Sequence, residues 1–281
     1  MIGASLAFAG MGACIKLAGE AGAPQGQIVF YRGALSLLLV WGYMRWSGIP
    51  MASRHWRVHL KRSFTGLASL IAFCSAIRLL PLATAVTLMY LSPLILAVLL
   101  PVMQGERPGW RLMATLMTSL VGVILLLRPT AQGAYWIGGA VGVLAAALTA
   151  LSALNLRALG QLGEPSWRSV FYFTTVISAA TLPWYLASDP LSTNPKAAAL
   201  ILGVATLATV GQVMATKAYE HHHTLLVALL GYSQVIFTSF LGIALWHDTL
   251  TWSSWIGMLL IITAGAAAMR IAQRQPHLTG A

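Results

Sequence analysis

The six acidic residues of this 281-residue chain, Glu20, Glu106, Glu164, Asp189, Glu220 and Asp248, are where acid-base chemistry would start. All sit at the ends of apolar runs or between them, and no carboxylate dyad suited to general acid and base work is visible. His55 and His59 stand four apart, the spacing at which helical histidines share a metal. The glutamate of an H-E-x-x-H pattern is absent, however, and the surrounding basic segment reads as a linker facing water or lipid headgroups. Glu220-His221-His222-His223 is a second histidine cluster, but three adjacent side chains point in different directions on a helix and no partner cluster completes a site. Cys14 and Cys74 lie alone in apolar segments and read as packing residues. No phosphate loop or nucleophile elbow is present either. No catalytic residue, cofactor or metal is therefore expected.

The remaining candidates are polar groups inside apolar runs. Arg32 is the one cation placed well within a run; it either attracts a carboxylate or gates a cavity, or it snorkels outward and clamps a helix end. Tyr90 and Tyr232 can each stack on a substrate side chain while the hydroxyl donates a bond, or tie two helices together. Gln212 and Gln234 are amides that need a partner in an apolar surround, whether substrate or neighbouring helix. Asn155, Ser152, Thr84 and Thr87 are weaker candidates of the same kind. Trp184 is the tryptophan to test for stacking, since Trp41, Trp46, Trp110, Trp136, Trp167, Trp246, Trp252 and Trp255 fall near run ends, where membrane interfaces collect them. Pro93 and Pro101 remove backbone bonds inside one run and allow it to bend. Gly138 and Gly142 form a small-xxx-small stripe suited to close helix packing or a contact between subunits.

The elements that hold these residues follow from composition. Only 8% of the residues are charged and 58% are hydrophobic, with a mean hydropathy of +0.78. A soluble domain carries about 25% charge, so most of this surface faces something other than water. Ten apolar runs of spanning length lie at about 2–18, 25–46, 63–80, 82–104, 110–128, 135–158, 166–187, 197–219, 224–246 and 252–272. The least marked division, at Arg78 to Leu82, rests on Arg78 and Pro81. No basic leader or clear cleavage site precedes the first run, so a cleaved signal peptide is not expected.

The net charge of +11 does not point to nucleic acid, because the cations lie between runs rather than on one polar face. With the N-terminus cytoplasmic, one side collects Arg45, Arg54, Arg57, Lys61, Arg62, Arg107, Arg111, Arg157, Arg168, Lys217, Arg270 and Arg274. The other collects Lys16, Arg78, Arg128 and Lys196. The positive-inside rule then places both termini in the cytoplasm and reads the basic charge mostly as a topology signal.

Sliding the chain on itself by 142 residues places Tyr90 on Tyr232, Ala76 on Ala218, Leu99 on Leu241, Glu106 on Asp248, Trp110 on Trp252 and Arg128 on Arg270. Each unit holds five runs, and an odd number inverts the second unit in the membrane. The expected fold is an all-α membrane protein of ten transmembrane helices, as two inverted five-helix repeats (1–130 and 134–275) around a central cavity. Tyr90 and Tyr232 should meet near the midplane. Inverted repeats recur in secondary transporters, although channels also use them.

Ala83-Thr84-Ala85-Val86-Thr87-Leu88-Met89-Tyr90-Leu91-Ser92-Pro93, followed by Glu106 and the glycine-bearing helix through Gly122, resembles the EamA type of the drug/metabolite transporter superfamily. Phe30-Tyr31-Arg32 is similar to an aromatic-plus-Arg signature of that family. The second half departs from the pattern, with Val235 opposite Pro93 and Glu220-His221-His222-His223 in place of a small-residue turn. The resemblance implies export or exchange of small metabolites through a central cavity, and among its members YddG-like exporters of aromatic and other neutral amino acids are the suggested match. With one candidate cation, the cavity suits a zwitterionic or neutral solute better than a nucleotide sugar. A drug or vitamin carried by the same fold is the alternative, and an intramembrane enzyme a remote one. With no carboxylate inside a run to relay protons, facilitated transport or exchange is expected rather than proton coupling. The partners implied are a small-molecule substrate and the bilayer of the cell (inner) membrane.

Overall fold

The structure is a computed structural model that describes residues 1–80, 82–104, 109–127, 136–187, 194–221, 224–247 and 251–274. The described residues form twelve α-helices and no strand: α1 (Ile2–Glu20), α2 (Gln25–Trp46), α3 (Trp56–Leu79), α4 (Leu82–Met89), α5 (Ser92–Gln104), α6 (Trp110–Leu127), α7 (Trp136–Gln161), α8 (Ser166–Leu186), α9 (Pro195–His221), α10 (Thr224–Leu230), α11 (Ser233–Trp246) and α12 (Trp252–Arg274). Six stretches are long and apolar enough to cross a membrane: α1, Ala85–Met103 through α4 and α5, α7, α9, Thr224–Trp246 through α10 and α11, and α12. Large side chains cover their outer faces, with Val102 82% exposed. In an aqueous protein such surface would be unstable; against lipid it costs nothing.

The helix order matches the apolar runs, with two differences. α3 begins at Trp56, two turns before the run expected from residue 63. Its opening turns carry Arg57, His59, Lys61 and Arg62, which a hydropathy reading assigns to a linker. The runs expected at 82–104 and 224–246 are each interrupted. The first breaks at Tyr90 and Leu91 and the second at Gly231 and Tyr232, at nearly the same place in the 142-residue register. Proline serves the first break, because Pro93 is the second residue of α5, where its missing N–H has no helical partner to lose. The second half has Val235 there and breaks at Gly231 instead. A β-carbon on Gly231 would lie 2.9 Å from the Ala228 carbonyl oxygen. Pro101 is inside α5. Arg128, Glu106, Asp189, Asp248, His222 and His223 lie outside the described residues, as do the side chains of Arg78, Cys74 and Thr84.

Helices pair across the two halves: α3 on α7, α1 on α9, α2 on α8, and α6 on α12. Small residues set the spacing. A β-carbon on Gly122 of α6 would come 2.7 Å from the Gly257 carbonyl oxygen of α12, and one on Gly33 of α2 would come 3.0 Å from Ile177 and Ser178 of α8. Gly138 and Gly142 serve packing of α7, since their β-carbons would lie 2.7 Å from Leu80 and Leu88. Cys14 packs among apolar side chains beside Ile28 and Ile201. The largest buried cluster joins Leu96, Leu100, Leu116, Leu154, Leu229 and Tyr232 from four helices and one break.

One turn bears directly on the site. α7 ends where Gly163 takes φ +70°, a left-handed conformation that glycine adopts without penalty. The Glu164 N–H then bonds back to Leu159 O at 3.1 Å, so Glu164 folds under the helix end instead of projecting away. Pro165 caps α8 immediately afterwards. The same Gly-x-Pro turn joins α1 to α2, with Gly22 at φ +86°, Ala23 N–H bonded to Ala18 O and Pro24 capping α2. Ala23 thus occupies the place of Glu164.

Candidate functional site

A small pocket lies between α2, α8 and α9, lined by Arg32, Gly33, Ser36, Phe173, Thr174, Ile177, Ala208, Thr209 and Gln212. Arg32 is seven residues into α2 and Phe173 seven into α8 from the other end, each about 10 Å along its helix at 1.5 Å per residue. The cavity therefore sits at mid-height. Gly33 lets α2 and α8 approach closely at that level, with Ile177 and Ser178 packed against it. Most hydroxyls around it are already committed: Ser36 donates to Ala205 O at 3.1 Å, Thr174 to Val170 O at 3.0 Å and Thr209 to Ala205 O at 2.8 Å. The Arg32 guanidinium and the Gln212 amide add two strongly polar groups to an otherwise apolar wall.

Tyr90 and Tyr232 meet, as the repeat register expects. Their ring centroids are 5.4 Å apart, and the Tyr232 hydroxyl donates to the Tyr90 carbonyl at 2.8 Å. That bond ties one broken helix to the other. Tyr232 is fully buried (0% exposed), so its ring packs against the core. The remaining candidates are dispersed. Asn155 reaches towards Thr65 Oγ1 on α3 at 3.5 Å, away from the cavity lining. Trp184 is 39% exposed on α8, beside Tyr185, whose ring stacks on Phe30 at 4.4 Å and whose hydroxyl meets that of Tyr31 at 3.3 Å. Thr87 is buried on α4, and Gln234 is half-buried in the first turn of α11; neither lines this cavity. Ser152 is buried on α7.

Below the cavity lies a buried ionic cluster that the sequence reading missed, and it requires two corrections. His59 does not face water or headgroups; it is 0% exposed, stacks on Tyr172 at 4.6 Å and meets Glu164 Oε2 through Nε2 at 3.2 Å. Glu164, which the sequence places at the end of a run, is buried in the same cluster. Glu164 is 8% exposed and accepts bonds from Ser53 and from Arg168 Nη1 at 2.5 Å, while Arg168 Nε donates to Pro50 O at 2.8 Å. Nearby, Glu220 at the end of α9 accepts from Ser166 and from Ser169 Oγ at 3.1 Å. Arg32 is only partly buried, whereas a second cation is buried outright. Arg62, read as a topology charge, is 3% exposed, with its guanidinium carbon 3.7 Å from the Phe173 ring centroid. Apart from Glu164 and Arg168, which stand four apart, each partner is distant in sequence from the residue it meets, so spacing alone could not reveal the cluster.

Burial alone would push the Glu164 carboxyl up. Bonds from Ser53, Arg168 and His59, with the Arg168 charge, outweigh that and hold it below the usual carboxylate range. Among the described residues no group of three or more metal-ligating side chains converges.

At the far end, Lys16 lies over the Trp246 ring at 3.8 Å, and Trp246 Nε1 donates to Glu20 at 2.8 Å. This exposed contact is much lighter than the cluster around Glu164.

Comparison with known proteins agrees with this architecture. The EamA-like transporter family matches residues 1–128 and 136–269. The chain is 27% identical over 267 residues to the "Pseudopaline exporter CntI" of Pseudomonas aeruginosa (strain UCBPP-PA14), covering 95% of this chain and 93% of the relative. It is 24% identical over 273 residues to an "Uncharacterized transporter" of Helicobacter pylori (strain J99 / ATCC 700824), covering 93% and 90%. A crystal structure superposes with a TM-score of 0.79 at 18% identity over 97% of this chain and 96% of that one, a likeness of fold. The family match spans both halves, the apolar helices are those of a multi-pass membrane protein, and the chain belongs to the EamA-like transporter family.

Proposed function

We propose that this protein exports or exchanges small carboxylate-bearing metabolites, neutral and aromatic amino acids foremost, by alternating access of the cavity between α2, α8 and α9. The carrying observation is that cavity: apolar walls, one guanidinium from Arg32 and one amide from Gln212 at mid-height. An amino acid suits it, because the guanidinium can take the carboxylate in a bidentate pair while Phe173 and Ile177 face the side chain. Two inverted five-helix units, residues 1–130 and 134–275, form the frame. The reciprocal pairing of α1 with α9 and α3 with α7 supports it, as do the paired breaks at Tyr90 and Tyr232. Pro93 and Pro101 allow the broken span to bend between states. Both termini face the cytoplasm of an inner membrane, and the Glu164 cluster then closes the cytoplasmic mouth.

The test is counterflow in proteoliposomes with a panel of amino acids. Saturable exchange of at least one, weakened by Arg32→Gln, is the expected result; no response to any amino acid refutes this cargo. One observation favours a second reading, a different metabolite in the same cavity: the similarity to the relative named as a pseudopaline exporter.

A further inference from the structure

Arg62 is buried more deeply than an arginine at a helix entrance needs to be, and it is incompletely used. It stands in the second turn of α3, 3% exposed. No hydrogen-bond acceptor among the described residues reaches its Nε or Nη1. Glu220 acts on it electrostatically, but that carboxylate also takes the hydroxyls of Ser166 and Ser169. A guanidinium carries five N–H donors in a fixed fork, and leaving some of them dry is costly. Membrane proteins retain such a group where it serves a pathway or a partner.

Its neighbour identifies the pathway. The Phe173 ring that carries the guanidinium at 3.7 Å also lines the cavity with Arg32 and Gln212. A single aromatic side chain therefore stands between the cavity and this buried cation. The ring has room because α3 has glycine beside it: a β-carbon on Gly66 would lie 2.9 Å from Phe173 Cε2.

We propose that Arg62 is a carboxylate-binding site on the translocation path, reached from the cavity when the Phe173 ring swings aside. A carboxylate leaving Arg32 is taken by the free edge of the Arg62 fork, in competition with Glu220 on its other side. Phe173 acts as the partition between the two cations. The solute class is a small anion or zwitterion with a planar carboxylate, which matches the guanidinium fork in a way a primary amide does not. This deepens the cavity reading above and rests on it for the path, but its own claim concerns the carboxylate alone.

The experiment measures binding of four probes to the purified full-length protein by calorimetry: L-phenylalanine, L-phenylalaninamide, glutarate and glutaramide. Wild type is compared with Arg32→Gln, alone and combined with Arg62→Met, which keeps bulk and removes the charge, or with Arg62→Lys, which keeps the charge and loses the fork. The wild type is expected to prefer each carboxylate over its amide by roughly tenfold or more, as bonds to a charged group allow. Arg32→Gln keeps the part of that preference that Arg62 supplies; adding Arg62→Met to Arg32→Gln abolishes what remains while leaving amide binding unchanged, and adding Arg62→Lys keeps part of it. A merely structural arginine would weaken acid and amide alike, so a preference that survives in the Arg32→Gln, Arg62→Met double variant overturns the proposal. Should that double variant fail to fold, an undiminished preference on adding Arg62→Lys to Arg32→Gln overturns it equally. Glutarate preference lost in the double variants, with no phenylalanine binding, upholds Arg62 and refutes the amino-acid cargo. Phenylalanine preference retained in the double variants does the reverse, and wild type that binds neither carboxylate refutes both.

Discussion

Glu164→Gln removes one negative charge from the cluster below the cavity while keeping the side chain's size, so its cost isolates the ionic part of the closure. The wild-type carboxylate serves Ser53, His59 and Arg168, and at 8% exposure little water is available to replace it. Breaking one side of a buried pair costs about 3–5 kcal/mol, because the partner charge is left behind. The amide oxygen still accepts from one or two of the three donors, and Arg168 sits near the edge of the cluster, so about 2–4 kcal/mol is expected, with the amide N–H₂ facing at least one donor. The pH dependence gives the sign independently. The folded carboxyl is held below its ordinary range, so its stabilisation is complete above that range and is lost as pH falls through the folded value, below about pH 5. Thermal unfolding of the detergent-purified protein, followed by tryptophan fluorescence over a pH series, reads both effects. Wild type should lose stability on acidification more steeply than Glu164→Gln, and the two should converge at low pH. Equal midpoints at neutral pH, or parallel acid slopes, would refute the reasoning.

Tyr232→Phe removes the bond to the Tyr90 carbonyl and should cost about 0.6–1.7 kcal/mol, the range for interhelical bonds in membranes; Tyr232→Ala should cost about 3–5 kcal/mol by opening a cavity. Unfolding midpoints in detergent separate the two, and equal effects would refute the role given to the hydroxyl. Gly122→Ala pushes a methyl to 2.7 Å from the Gly257 carbonyl oxygen, where backbone cannot yield cheaply, and should destabilise the α6–α12 pair by about 1–3 kcal/mol, with cross-linking between those helices as the local readout. Arg32→Gln should raise the half-saturating concentration for carboxylate solutes in counterflow by roughly tenfold or more; unchanged affinity would remove Arg32 from the site.

Hydropathy located the helices because twenty apolar residues have no stable home except a spanning helix. It placed the start of α3 late for the same reason, since the turns bearing Arg57, His59, Lys61 and Arg62 are helical without being apolar. The two breaks were equally hidden: Tyr90, Leu91 and Tyr232 continue an apolar run, and only the backbone reveals that the hydrogen bonds tighten there to partners three residues back, as from Leu91 to Leu88 and from Tyr232 to Leu229. Arg32 and Gln212 could be picked out as polar residues deep inside apolar runs, and they do share a cavity. Arg62 could not. It lies one residue before the run expected from 63, where a basic residue ordinarily reports topology, and its burial comes from Phe173 on another helix.

The Gly-x-Pro turn sharpens this point. Both halves fold it in the same way, and the buried residue it delivers is Ala23 in one and Glu164 in the other. Equivalent backbone thus closes one end with a methyl group and the other with a carboxylate bonded to Ser53, His59 and Arg168. An apolar contact can part without stranding a charge, whereas parting the ionic contact leaves Glu164 and Arg168 to be rehydrated or paired anew. In a chain with 8% charge, the backbone is therefore nearly indifferent to its sequence at this turn. The energetic difference between the two turns is concentrated in a few charges that hydropathy reads as surface.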